Sequence, residues 1–420
     1  MKKVLFMLLV MFALSACQSK DSYVKEFSDF VDKVEMEAAD YTDKDWKKAD
    51  LKFSDLSTNL YAKFEEELNA DEKAEIIKLQ ATYAGLKMKA GVKDAAKKVD
   101  KFLDGLKEGI VCSFACTQPK PVANVEVQKE NFVFSIKGTD TLSLDKYELP
   151  SISPASKKPV MIFAFGGGFK GGDKADKGYI PYFEFLARNG FVVVSTDYRT
   201  TLKNLDPSKV SSPMDFIAAL QHAIDTAVED FYDATGFVIN QSSDWNIDVE
   251  QIVASGSSAG AITVLQAEYD LCNGHELAKR LPAGFNYAGV ISYAGAVSGV
   301  LPPHWEKMPC PIMLFHGDAD KTVPFEQAAM ENLGGLWGSS AVAKSLENLQ
   351  ASYYFYKVEN AGHEISGLPM SRNQYDIMSF LSRQVLGDEN LAITTDERVP
   401  GDTIVRKDFT VQDYILDNLR

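Results

Sequence analysis

Two hydrophobic rhythms divide the chain. From residue 21 to about 110, apolar positions recur every three or four residues in a charged, proline-free background, which is the spacing of amphipathic helices. Tyr23, Phe27, Phe30, Val31 and Val34 share one face of a first helix, and Thr42 is placed to N-cap a second that carries Trp46, Ala49 and Phe53. Two more helices are expected at 74–88 and 92–106, with Asp71 as a cap ahead of the former. The alternating Lys, Asp and Glu between them read as solvated faces. A bundle of three or four short helices follows, filling residues 17–110.

After a linker at 111–124 marked by Pro119 and Pro121, the apolar residues gather into short runs. Strands are expected at 132–136, 141–147, 159–165, 191–195, 251–255, 288–293, 312–315 and 353–358, with helices at 182–188, 214–231 and 261–269 among them. The run at 159–165 is apolar throughout, as suits a central strand buried on both faces. Strands alternating with helices predict an α/β fold with a mostly parallel, doubly wound sheet over 125–386, whose ligands bind at the carboxyl ends of strands. The tail at 387–420 has no clear periodicity, and no internal repeat is visible.

Composition changes this picture little. A chain of 420 residues accommodates one large domain and a smaller one. Its net charge of -15, without any Lys/Arg block or basic-aromatic stripe, argues against a nucleic-acid surface. The first residues change it more. Lys2 and Lys3 precede an apolar stretch at 4–14 that is short for a membrane span, the pattern of a signal peptide over 1–16. Leu14-Ser15-Ala16-Cys17 then resembles a bacterial lipobox, which implies cleavage before Cys17, diacylation of its sulfur and a lipid-anchored envelope protein, on the periplasmic or cell-surface side.

In an exported chain the other four cysteines, Cys112, Cys116, Cys272 and Cys310, are an even set for which three disulfide connectivities are possible. Cys112 with Cys116 and Cys272 with Cys310 is the expected pairing. A zinc site is disfavoured because Cys112 and Cys116 have no nearby His or second Cys pair, and no cofactor motif occurs.

The chemistry centres on Gly256-Ser257-Ser258-Ala259-Gly260, a G-x-S-x-G between a strand and a helix. Such an elbow lifts the serine hydroxyl clear of the sheet, and its glycines avoid collisions with neighbouring backbone. A nucleophilic serine needs a base, an acid to orient it, and amides for the oxyanion. Of His222, His275, His304, His316 and His363, only His363 follows a late strand in a glycine-marked loop, in the chain order Ser, acid, His. The acid belongs to the loop His316-Gly317-Asp318-Ala319-Asp320. Asp320 is the choice; Asp318 reads as a turn former bonding its own loop, and His316 as shaping that loop. Oxyanion donors are expected from the Ala259 amide and the glycine loop Gly166-Gly167-Gly168 after the 159–165 strand.

In combination these motifs resemble the α/β-hydrolases of the hormone-sensitive-lipase-like carboxylesterase group. The matching segments are Gly166 to Phe169 with the family's oxyanion loop, Asp197-Tyr198-Arg199 with its strand-end motif, residues 248–252 with its approach to the nucleophile, and 316–324 with its acid loop. The resemblance implies Ser258, Asp320 and His363 as catalytic residues, and Gly167, Gly168 and Ala259 as oxyanion donors. Phe165 departs from it, standing where these enzymes usually carry histidine. The N-terminal helices resemble helical domains of unknown function in envelope lipoproteins; a spacer is the expectation, and their partner is open.

The function expected is hydrolysis of carboxylic esters, of short acyl groups including carbohydrate acetyl esters, through an acyl-enzyme. Only residues 294–310 separate two successive strands where large lids are often inserted, which suits an open pocket. An exopeptidase of the prolyl-oligopeptidase type shares the elbow and the His-Gly-x-x-Asp loop, but no propeller-blade repeat is present. A non-catalytic envelope binding lipoprotein is the other alternative, and it leaves the three filled triad positions without a use.

Overall fold

A computed structural model of the chain describes residues 20–38, 41–64, 126–150, 157–206, 212–330 and 332–398, with isolated positions besides. The signal segment, Cys17, the helix expected at 92–106, the linker, Cys112 and Cys116 lie outside the described residues. Among the described residues, no helix is long and apolar enough to cross a membrane. The chain divides into two compact units, Met1–Thr117 and Gln118–Arg420.

In the first unit, the helix Lys20–Glu37 buries Tyr23, Phe27, Val31 and Val34, with Phe30 partly covered. Helix Asp43–Ser54 starts at a capping box in which the Thr42 hydroxyl accepts from Asp45 N, and the Asp45 carboxylate accepts from Thr42 N. Trp46, Ala49, Leu56, Phe64, Ile76, Leu79 and Tyr83 complete one apolar core. The Tyr23 hydroxyl finds Leu56 O at 3.0 Å, and Tyr83 stacks on Phe53 at 4.2 Å, so these large rings bury their faces without orphaning a hydroxyl.

The second unit is built from strands β1 (Gln128–Lys137), β2 (Asp140–Glu148), β3 (Lys158–Ala164), β4 (Val192–Thr196), β5 (Ile247–Ser257), β6 (Gly289–Tyr293), β7 (Ala296–Gly299), β8 (Ile312–Gly317), β9 (Gln327–Met330), β10 (Gly334–Gly338), β11 (Tyr353–Val358) and β12 (Ala392–Glu397). Nine of them form one sheet in the order β1-β2-β4-β3-β5-β6-β8-β11-β12. β2 pairs antiparallel with β1 and β4, and every other pair is parallel. This is the mostly parallel α/β sheet the alternation predicts, flanked by the helices Ile180–Arg188, Pro213–Asn240, Ala259–Cys272 and Ser339–Leu349. β3, β4 and β6 are buried along their length except at Lys158, in keeping with their largely apolar residues.

The structure goes beyond the sequence reading in three places. Helix Pro213–Asn240 runs well past residue 231, opened by a Ser212/Asp215 capping box with Pro213 in its first turn. Within 294–310 the chain forms β7, which joins β10 and β9 in a separate three-stranded sheet. The tail also belongs to the hydrolase sheet. β12 pairs in parallel with β11, from Tyr353 opposite Ala392 to Val358 opposite Glu397, so the fold does not stop at 386. β12 escapes the pattern because it is an edge strand whose residues alternate between exposed and half-buried, held by backbone bonds and the Lys357–Asp396 ion pair.

The expected Cys272–Cys310 disulfide is absent: both are free, buried thiols. Both lie against Glu268, whose Oε1 accepts from Cys272 Sγ at 3.4 Å and from Cys310 N at 2.8 Å.

Candidate active site

The elbow sits at the end of β5. Ser258 adopts φ 52° and ψ -116°, a strained conformation for a residue with a side chain, held by Ser258 N donating to Tyr293 O at 2.9 Å and by the first turn of helix Ala259–Cys272. The flanking glycines are required by close approach. A Cβ on Gly256 would stand 2.3 Å from Gly260 O, and one on Gly260 would stand 2.1 Å from Ala164 O.

The structure brings the three residues singled out for catalysis together from three loops. Ser258 Oγ is 2.8 Å from His363 Nε2, and His363 Nδ1 is 2.8 Å from Asp320 Oδ2. Ser258 is 7 % exposed and Asp320 2 %, while a quarter of the His363 side chain faces solvent. The other Asp320 oxygen, Oδ1, accepts from Thr322 N and Val323 N at 2.7 and 3.0 Å. Burial pushes the Asp320 carboxyl up, but its hydrogen bonds with His316 and His363, and their charges, outweigh burial and hold it well below the ordinary carboxylate range.

Asp318 does more than turn its own loop. Its Oδ1 accepts from Asn360 N at 2.7 Å, and Ala319 N donates to Ala361 O at 2.9 Å, so the acid loop and the histidine loop are joined directly. Ser257 Oγ adds a third tie, donating to Ser366 O at 2.9 Å.

The glycine loop turns at Gly167 (φ 141°), where a Cβ would stand 2.1 Å from Gly171 O. No described acceptor takes the amides of Gly167, Gly168 or Ala259. Gly168 and Ala259 line one small pocket with Ser258. Its walls are mostly apolar, formed by Phe169, Leu202, Phe216, Leu220, Ile262 and Val323, with Lys170 and Thr322 beside them.

Two tyrosines to which the sequence pattern gives no such part hold this loop. Phe165 stacks on Tyr198 at 4.4 Å; the Tyr198 hydroxyl donates to Phe165 O at 2.7 Å, and Gly166 N donates to the Tyr179 hydroxyl at 3.1 Å. The stacked pair supports the loop where the resembling enzymes carry histidine. Asp197 and Arg199 tie down the same strand end. Asp197 accepts from Ser143 and Lys174, and Arg199 forks onto Asp230 at 2.8 Å through both Nε and a terminal nitrogen. The motif Asp197-Tyr198-Arg199 is the available signal, but its bonds reach residues 23 to 54 positions away.

Residues 34–129 match a domain of unknown function, DUF6565, and residues 145–280 match the family described as BD-FAE. No curated protein matches the chain. Among solved structures, esterase 2 of the Planctomycetes species Thermogutta terrifontis in its propionate-bound form is similar at 19 % identity, over 62 % of this chain and 95 % of that one, with a TM-score of 0.44. Its apo form is similar at 20 % identity over 64 % and 97 %, with a TM-score of 0.43.

A parallel sheet with a serine on a strand-to-helix elbow, and a histidine and a carboxylate from later loops, defines the second unit as an α/β-hydrolase with a serine nucleophile. The BD-FAE match spans β2 to the elbow helix, the segment that carries the serine, and supports a carboxylic ester hydrolase.

Proposed function

We propose that this protein is a lipid-anchored serine esterase that cleaves short-chain carboxylic esters, carbohydrate acetates among them, through an acyl-enzyme. The observation that carries the reading is the continuous row Ser258 Oγ, His363 Nε2, His363 Nδ1, Asp320 Oδ2, with 2.8 Å at both of its hydrogen bonds. As Ser258 Oγ bonds to the ester carbon, its proton passes to His363 Nε2. Asp320 remains a carboxylate and accepts from Nδ1–H, stabilising the imidazolium. The amides of Ala259, Gly168 and Gly167 receive the oxyanion. On collapse, the alcohol leaves with the proton from Nε2; water then repeats the sequence on the acyl-enzyme, delivering its proton to His363 and releasing the acid.

The small apolar pocket beside Ser258 supports a short acyl group, and the absence of a long insertion at 294–310 supports room for a bulky alcohol. The charged start, apolar stretch and Cys17 support anchoring in a bacterial envelope. Two measurements test the reading: labelling of Ser258 by a fluorophosphonate probe, and hydrolysis of p-nitrophenyl acetate over an aminoacyl nitroanilide. A chain that neither labels nor turns over the acetate refutes it, and loss of membrane association in Cys17→Ser tests the anchor.

A further inference from the structure

Asp320 meets a second histidine. Besides His363, its Oδ2 lies 3.4 Å from Nε2 of His316, and neither the His316 nor the Asp320 side chain has any solvent exposure. The His316 ring stands at the end of β8, perpendicular to Phe325 with centroids 5.6 Å apart. Its Nδ1 is 2.7 Å from Ser339 Oγ, and its Nε2 is 3.2 Å from Val323 O. A carbonyl can only accept and an ionised carboxylate can only accept, so Nε2 carries a proton. Ser339, the first residue of helix Ser339–Leu349, also reaches Gly295 O at 3.2 Å. Gly295 packs so closely on the elbow helix that a Cβ there would stand 2.9 Å from Ala261 Cβ. A connected row thus runs from the elbow helix through Gly295, Ser339 and His316 to Asp320 and His363, and back to Ser258.

We propose that His316 is a positioning residue for the acid: its Nε2–H shares Asp320 Oδ2 with His363 and fixes the carboxylate, ionised and in one orientation, for its partner. The backbone amides of Thr322 and Val323 hold only Oδ1, which leaves the carboxylate free to pivot about that end. A buried carboxylate short of a donor either turns toward another one or takes up a proton, and both outcomes cost His363 its acceptor. The titratable groups facing Asp320 are His316 from β8 and His363 from the loop after β11. What residues 322–323 present is backbone amide, and helix Ser339–Leu349 presents the hydroxyl that orients His316. Burial pushes the Asp320 carboxyl up, and the bond with His316 is the foremost influence holding it down. Loss of His316 therefore raises it, and activity fails first at the acid end of the pH range.

This inference rests on the ester-hydrolase reading. Its test compares His316→Gln, whose amide nitrogen reaches the place of Nε2, with His316→Asn, whose amide reaches only toward Ser339. Turnover of p-nitrophenyl acetate is followed between about pH 5 and 9, with melting temperature and fluorophosphonate labelling measured alongside. His316→Asn is expected to lose about 30-fold or more in kcat with KM within about threefold, and the acid limb of its profile moves to higher pH. His316→Gln is expected to stay within about fivefold of wild type, with the limb unmoved. Wild-type behaviour in His316→Asn, or equal losses in both variants with an unmoved limb, overturns the proposal. Should His316→Asn fail to fold, Ser339→Ala decides: a smaller shift of the limb in the same direction supports the proposal, and an unmoved limb refutes it. A wild-type protein that does not label at Ser258 refutes the esterase reading itself and takes this inference with it, whereas labelled variants with unmoved limbs refute the inference alone.

Discussion

Asp320 and Glu268 are both sealed from water, one in the loop after β8 and the other on the helix that leaves the elbow. Asp320 has donors on both oxygens, two of its neighbours being histidines that can carry charge. Glu268 has Cys310 N, Asn286 Nδ2 and Cys272 Sγ around Oε1, no cation among them, and nothing on Oε2. Burial raises the pKa of each. At Asp320 the histidines reverse it; at Glu268 the neutral donors do not, and its carboxyl stays above the ordinary range. Equal burial thus leads to opposite charge preferences, because the donors around a carboxylate, more than its depth, decide whether it keeps its proton. One carboxylate is fitted to hold an imidazolium, the other to accept from a thiol, a backbone amide and a side-chain amide in a neutral interior.

The largest break in this contrast comes at the nucleophile. Ser258→Ala should lower turnover by up to about a million-fold while melting near the wild-type temperature, because it removes the hydroxyl and little buried surface. Residual turnover within tenfold of wild type, in a preparation free of other esterases, would sink the assignment. Next is Asp320→Asn, which keeps the shape but places an amide where His363 needs an anionic acceptor. A loss of about ten-thousand-fold in kcat is expected.

Asp318 separates charge from position. Asp318→Asn retains an oxygen for Asn360 N and should stay within about twofold in kcat, whereas Asp318→Ala frees the histidine loop, costing about tenfold in kcat and about 1 kcal/mol of stability. If Asp318→Asn is inactive and Asp320→Asn near normal, the acid is misassigned.

The smallest effect has the opposite sign. Glu268 binds its proton more tightly folded than unfolded, so it costs stability as pH rises above its unfolded pKa of about 4.3. Glu268→Gln, the isostere of the protonated form, should melt higher than wild type at pH 8, with the gain shrinking toward pH 4. Asp320, whose pKa is lowered on folding, contributes stability above its unfolded pKa that is lost as pH falls through its folded one. A Glu268→Gln protein less stable than wild type at pH 8 would break the comparison.

The elbow and its partners were legible because each announces itself locally. Gly256 and Gly260 bracket a serine between a strand and a helix, His363 follows the last apolar strand in a glycine-marked loop, and Thr42 with Asp45 writes a helix start in four residues. What escaped reading lacks such a local mark. Tyr179 looks like a core aromatic, Tyr198 like one member of a strand-end motif, His316 like a loop former, Glu268 like one helical Glu among many, and the polar edge strand β12 like tail.

By itself the sequence determined the rhythm of helices and strands, the parallel sheet that follows from their alternation, and the positions where backbone strain demands glycine. Those are properties of a few consecutive residues and of the dihedral angles they tolerate. Only the tertiary structure decided that Tyr198 would take up the carbonyl of Phe165, that Asp318 would hold Asn360 across 42 residues, and that Glu268 would stand between two cysteines. A hydrogen bond needs its two atoms within about 3 Å and correctly aimed, and which distant atoms meet that condition is set by strand order and register across the whole sheet, which no local pattern encodes.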